Sequence, residues 1–209
     1  MNSTVLKIKQ PVDEPALVAR TTADPTALTA LYDHYFPLVF KYVLYRVSDA
    51  QIADDLVSQI FERMLTDLAR YQPGQAPFGA WLFGIARHVV GDHYRSQKRR
   101  HWLSLESLFD LPSLDPVPDE IILKNEQGDH LLFSLAKLAN RERDLIGLKF
   151  AGGLTNREIS TLTRLSEANV GVILYRAMKR LRIELEKRRG QLCLSKNGST
   201  SSMRISNNY

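Results

Sequence analysis

L-T-N-R-E-I-S-T-L-T-R-L-S-E-A-N-V-G-V-I-L-Y-R-A-M-K-R-L-R, residues 154–182, is the stretch whose reading decides the fold. Thr155, Asn156, Arg157 and Glu158 form a capping box, which predicts a helix through Ile159 and Leu162. Ser166 is placed to cap a second, longer helix reaching to about Arg188. Val170, Leu174, Ala177, Leu181 and Leu185 fall on one face of that helix and are expected to meet Ile159 and Leu162. A short helix, a tight turn and a longer helix have helix-turn-helix proportions. Asn169, Val172, Tyr175, Arg176 and Lys179 are left near the outer face. In such a motif the start of the second helix enters the major groove. There an asparagine can pair with adenine, an arginine with guanine, and a valine can touch a thymine methyl. Arg176, Lys179, Arg180 and Arg182 also supply charge for phosphates, which makes binding salt-dependent. The same spacing fits a plain amphipathic hairpin with a solvated basic face.

Upstream, Asn140 is expected to cap a short helix over 141–150, ended by Gly152 and Gly153. Residues 121–138 have helical spacing. Between His101 and His130 the sign of charge reverses: Glu106, Asp110, Asp115, Asp119, Glu120, Glu126 and Asp129 face one cation, Lys124. Pro112, Pro116 and Pro118 lie in the same stretch, which predicts an extended acidic linker.

On the other side of the linker is a second cationic helix. Trp81, Leu82, Ile85, Ala86 and Val89 make its apolar stripe, while Arg87, His88, Asp92, Tyr94, Arg95 and Lys98 point elsewhere. Aromatics among cations suit single-stranded nucleic acid, since bases stack and phosphates pair. A solvated basic helix with core aromatics fits the same residues. The proline- and glycine-bearing loop 70–77 precedes it and is placed to receive an unstacked base. Further upstream, Ser48-Asp49-Ala50-Gln51 reads as a capping box opening a helix striped by Ile52, Leu56, Ile60 and Met64. Asp54, Asp55, Ser58, Gln59 and Glu62 occupy its other arc. Asp24-Pro25 reads as an N-cap with proline at the first helical position, and Pro37 is expected to break or kink that helix.

No strand pattern or repeat appears, so the expected class is all-α, with two small helical domains on a flexible acidic linker. The expected division is a loose arm over 1–22, a domain over 23–101, a linker over 102–118, a domain over 119–189 and a disordered tail over 190–209. The 209 residues carry a formal net charge of +5, which fits a polyanionic partner. A single cysteine, Cys193, leaves no disulfide framework within one chain. No apolar run is long enough for a bilayer, and the N-terminus lacks a signal-peptide core, so a cytoplasmic protein without membrane insertion is expected. The five histidines form no convincing ligand set, and His88 and His93 are five positions apart, off-face for a helical metal pair. The Asp54-Asp55 pair fits a solvated or partner-binding face better than a metal site. No phosphate-cradling glycine loop, nucleophile elbow or H-E-x-x-H motif occurs. The reading is therefore of a protein that is no enzyme, with no catalytic residue, metal or cofactor.

Three blocks in order resemble the sigma-70 family of RNA polymerase sigma factors, in its small two-domain extracytoplasmic-function group. A-D-D-L-V-S-Q-I-F, residues 53–61, is similar to the helix that binds the polymerase clamp. F-G-A-W-L-F-G-I-A-R, residues 78–87, with D-H-Y-R, residues 92–95, resembles the −10 melting region. The block over 154–181 resembles the −35-reading helix-turn-helix. The resemblance implies binding to bacterial core RNA polymerase and promoter DNA, promoter melting and transcription initiation. By position it implies that Asp54, Asp55, Ser58, Gln59 and Glu62 face the polymerase. Residues 70–75, among them Arg70, Tyr71 and Gln72, would hold a flipped −10 base. Arg87, His88, Tyr94, Arg95 and Lys98 would contact the −10 strands. Asn169, Val172, Tyr175, Arg176 and Lys179 would read the −35 element. An anti-sigma partner, which restrains many relatives, is also implied, and the linker's acidity suits basic polymerase channels. The chain departs from the family at Ser58, where glutamine is usual, at His88, where asparagine is usual, and at Gly171, Val172 and Ile173, usually richer in cations. Arg164 stands where the turn glycine is usual, a strained choice if that position needs positive φ.

Overall fold

Asp24 starts the first long helix: its carboxylate accepts from the Thr26 amide at 2.9 Å, and Pro25 sets the first turn. In the computed structural model, which describes residues 17, 18, 20, 21, 24–103 and 126–199, this helix α1 runs Pro25–Val47. It continues through Pro37 rather than ending there. Leu31 and Tyr35 before the proline and Val39, Phe40 and Val43 after it are all buried in one core, so packing holds both parts in line. Ser48 does not cap the next helix. It ends α1 at φ 58, its amide donating to the Leu44 carbonyl at 2.8 Å. The cap of α2 (Ala50–Asp67) is Asp49, which accepts from the Ile52 amide at 2.9 Å. The capping box read at Ser48 does not form; a single Asp49 side-chain cap starts the helix one residue later.

A single 3₁₀ turn, Leu68–Arg70, leads through the loop to α3 (Phe78–Leu103). Phe78, Leu82, Phe83, Ala86 and Val90 of α3 are buried against α1 and α2. The loose arm expected over 1–22 needs correction where it is described: Leu17, Val18 and Arg20 are helical, and Val18 is buried in the core because an apolar side chain gains by leaving water there. The linker expected over 102–118 needs correction at its start, since Trp102 and Leu103 still belong to α3. Thr21 lies in a turn, and the rest of the arm and residues 104–118 lie outside the described residues.

The second half begins with α4 (Glu126–Ala136). The short helix α5 (Asn140–Ile146) is capped by Ala139, not Asn140, with the Glu142 carboxylate reaching back to the Ala139 amide at 3.1 Å. Asn140 is spent on its neighbour Arg143. A π-helical turn, Gly147–Ala151, extends α5, and Gly153 follows at φ 70, a conformation natural to glycine. The capping box at Thr155 is present as read: the Glu158 amide donates to Thr155 Oγ1 at 3.2 Å and the Thr155 amide to Glu158 Oε2 at 2.7 Å. It opens α6 (Asn156–Thr163), and α7 (Glu167–Ser199) follows. Helix α7 passes the end expected near Arg188, so residues 190–199 are helical rather than disordered. Ile159, Val170, Leu174, Ala177 and Leu181 are buried together, as the helix-turn-helix requires. Arg164 sits in the turn at φ 58.

No strand occurs among the described residues, and the class is all-α. The two helical halves do not stand apart. Their buried apolar side chains form one contiguous cluster, with α5 and the π-turn against α1 and with α6 against α3.

Candidate nucleic-acid interface

The outer face of the helix-turn-helix presents the expected residues. Asn169, Val172, Tyr175, Arg176 and Lys179 are all exposed, and Tyr175 keeps 73% of its surface open to solvent. Ser166 Oγ accepts from the Asn169 amide at 3.3 Å, which places Asn169 on the first turn of α7. An exposed tyrosine, valine and asparagine next to two cations is a surface that can meet base edges and phosphates together. Arg180 differs from the expectation for phosphate contact. It pairs with Glu142 at 2.8 Å and braces α7 against α5.

Helix α3 divides its polar residues. His88, Arg95 and Lys98 are exposed. Asp92 sits between two of them, accepting from Arg95 and lying 3.2 Å from His88 Nε2. The Arg95 hydrogen bond holds its carboxyl below the usual range. Tyr94 is turned inward, donating to the Arg46 carbonyl, with the Arg46 guanidinium 5.5 Å from its ring centre. In the loop, Arg70 and Gln72 are exposed. Tyr71 instead packs edge-on against Phe78 at 5.3 Å and beside Trp81 at 5.1 Å, while its hydroxyl donates to the Ala76 carbonyl at 2.9 Å. It shapes the loop from beneath.

On α2, Asp55, Ser58, Gln59 and Glu62 are exposed and Asp54 is half-buried, all on the arc opposite Leu56, Ile60 and Met64. The result is an acidic strip separate from the cationic surfaces.

A polar cluster between the halves escaped the sequence reading. Asp144 of α5 is buried, yet every partner it has here belongs to the other half. Tyr42 Oη donates to its Oδ1 at 2.8 Å, and Arg87 Nε donates to its Oδ2 at 2.9 Å. Arg46 Nε lies 3.7 Å from Oδ1, too far for a hydrogen bond, and has no other acceptor. Arg46 Nη1 donates to the Asn140 carbonyl and Arg87 Nη1 to the Leu162 carbonyl at 3.1 Å. Burial, and next the Asp144 charge, push the Tyr42 phenol well above its usual value. One signal was available: Arg46 continues the buried stripe Val39–Val43, and Asp144 shares a stripe with Leu148 and Ala151. A charge on an apolar stripe must find a partner when buried.

Residues 31–100 match the family Sigma-70 region 2, and residues 131–181 match Sigma-70, region 4. The ECF RNA polymerase sigma factor ShbA of Streptomyces griseus is 30% identical over 181 residues, spanning 82% of this chain and 95% of that protein. This chain belongs to the ECF sigma factors of RNA polymerase. Members of that family direct the polymerase to promoters and start transcription. The sigma factor BldN of Streptomyces coelicolor is also 30% identical to this sigma factor over 166 residues, which span 79% of the chain and 63% of that relative's length. Its fold is shared by the sigma factor RpoE of Bartonella quintana, solved with the anti-sigma factor NepR (TM-score 0.64, 18% identity, 76% of this chain and 96% of that one). CnrH, solved with the cytosolic domain of CnrY, is similar too (TM-score 0.60, 21% identity, 83% and 97%).

Proposed function

We propose that this sigma factor engages three surfaces in turn: polymerase by the acidic strip of α2, the −10 strands by α3 and its preceding loop, and the −35 duplex by α7. The observation that carries the reading is the separation of sign. An exposed carboxylate strip on α2 and exposed cations with hydrogen-bonding groups on α3 and α7 give the protein-binding and DNA-binding tasks to different faces. Asp54, Asp55, Ser58, Gln59 and Glu62 dock on core polymerase. Asn169, Val172, Tyr175, Arg176 and Lys179 read the −35 element. Arg70, Gln72, His88, Arg95 and Lys98 contact the −10 strands directly, Tyr71 supports the loop, and Arg87 and Tyr94 join once released from their internal partners. The division into residues 23–101, a linker over 102–118 and residues 119–189 belongs to this reading, as do a cytoplasmic location, an anti-sigma partner like those of the solved relatives, and the lack of any catalytic step. No helix among the described residues is long and apolar enough to cross a membrane.

In-vitro transcription with purified core polymerase and a genomic DNA library tests it. Specific start sites are expected only when the protein is added. Replacing both Asp54 and Asp55 by Arg is expected to weaken binding to core polymerase at least tenfold, about 1.4 kcal/mol, through like-charge repulsion. Unchanged affinity would remove α2 from the polymerase interface.

A further inference from the structure

Three arginines from three helices line one cavity. Arg46 of α1, Arg87 of α3 and Arg141 of α5 surround a space of about 250 Å³, together with Asn140, Asp144 and Thr163. Asp144 is the one carboxylate in that wall among the described residues, so three positive charges against one negative leave a formal surplus of +2. Both of its oxygens are already engaged, Oδ1 by the Tyr42 hydroxyl and Oδ2 by Arg87 Nε.

The guanidiniums are short of acceptors. Arg46 keeps only 9% of its side-chain surface open, yet its Nε is buried without a hydrogen-bond partner, and Asp144 Oδ1 stands 3.7 Å away, beyond hydrogen-bond reach. Arg141 is exposed and makes no hydrogen bond or ion pair among the described residues. Arg87 spends Nε and Nη1 on Asp144 and the Leu162 carbonyl, which leaves Nη2 for a ligand. On the same short helix as Arg141, the Nε of Arg143 is also buried without a partner. Burial lowers the Arg143 guanidinium from its usual value, with Tyr94 opposing the shift and the Arg46 charge adding to it. A buried donor without an acceptor costs free energy that a ligand oxygen can recover.

We propose that this cavity binds a phosphate-class oxyanion on Arg46, Arg87 and Arg141. Such an anion brings acceptors alone, which is what the wall lacks. Planar guanidinium forks match its oxygens. A carboxylate has two oxygens in one plane, whereas a tetrahedral anion can turn one toward each of three helices. The surplus of +2 answers the charge of about −1.5 to −2 that a phosphate group carries at pH 7. Thr163 Oγ1 already donates to the Ile159 carbonyl at 2.7 Å, so charge does the selecting. The volume lies below the roughly 300–1,000 Å³ of sites that enclose drug-sized ligands, which suits one phosphate group with its water and not a whole nucleotide. A free phosphate and a phosphate of a nucleic-acid strand share this chemistry. The cavity needs none of the promoter roles proposed above.

The test titrates the full chain with inorganic phosphate at fixed ionic strength, reading the arginine Nε–Hε signals in nitrogen–proton correlation spectra. The Arg46 signal is expected to move saturably with phosphate and to stay in place with acetate or chloride. Arg141→Gln is expected to weaken phosphate by about tenfold or more, and Arg141→Lys, which keeps the charge but loses the fork, to fall between. Movement that acetate reproduces overturns the site, since the cations would then be merely screened. Arg141→Gln binding phosphate as the parent does also overturns it, because that exposed side chain can be changed without touching the core. Competition with a single-stranded oligonucleotide separates the two sources. Phosphate that displaces the strand from the parent but not from Arg141→Gln assigns the cavity to a nucleic-acid phosphate. Saturable phosphate binding that leaves the strand's affinity unchanged assigns it to the free anion.

Discussion

Tyr42 shows how a single hydroxyl can join two halves of a protein. Its ring is fully buried against the backbone of Gly147, and its oxygen donates to Asp144. Burial raises its folded-state pKa above the unfolded value of roughly 10. Below about pH 10 both states are protonated and this stabilisation is complete. Above it the unfolded chain loses its proton first, so stability falls as pH rises toward the folded value. Urea midpoints measured at pH 8, 9.5 and 10.5 are expected to fall more steeply in the parent than in Tyr42→Phe. Parallel curves would mean that the phenol stays exposed to solvent. Arg87 and Tyr94 show the limit of reading single residues. Both sit off the apolar stripe of α3, and both are engaged inside the molecule.

At the scale of elements, local chemistry was legible where the signal was redundant. The Thr155 capping box and the Ser166 cap act where they were read, because cap and helix are a few residues apart and need nothing else. Thr155→Ala is expected to lower thermal stability by about 1 kcal/mol. Arg164 adopts φ 58, so Arg164→Gly is expected to raise stability by up to about 1 kcal/mol, the relief of the left-handed strain less the entropy of glycine. Calorimetry of both variants checks the pair, and a destabilised Arg164→Gly would show that the arginine side chain contributes more than its backbone costs. At Ser48 and Asn140 the residue read as cap is not the one that acts, and the two sites differ, since Asp49 brings a capping carboxylate and Ala139 brings none. The choice fell to Asp49 and to Glu142 reaching back to Ala139, since the exit of the preceding segment sets the backbone angle. Pro37 illustrates the same point, because core contacts on both sides outweigh one lost helix hydrogen bond.

For the whole molecule, the proposed −35 role assigns the exposed cations of α7 to phosphates. Arg176→Ala and Lys179→Ala are each expected to reduce the slope of log affinity against log salt by roughly one and to weaken specific and non-specific duplexes alike. Asn169→Ala is expected to relax preference at one base pair, costing about 1–3 kcal/mol of discrimination. Titrations at several salt concentrations against matched and mutated duplexes separate the two behaviours. Arg180→Ala should leave the salt slope nearly unchanged, because Glu142 already neutralises that charge.

The all-α class, the helix-turn-helix, the acidic strip of α2 and the exposed polar face of α7 were written in the sequence. Each depends on helical periodicity and on caps that act within a turn or two. The joining of the halves through Tyr42, Arg46, Arg87 and Asp144 was decided only in three dimensions. Those partners lie 57 to 102 positions apart where they hydrogen-bond. A buried charge announces that it needs a partner, but only the packed chain determines which one it meets.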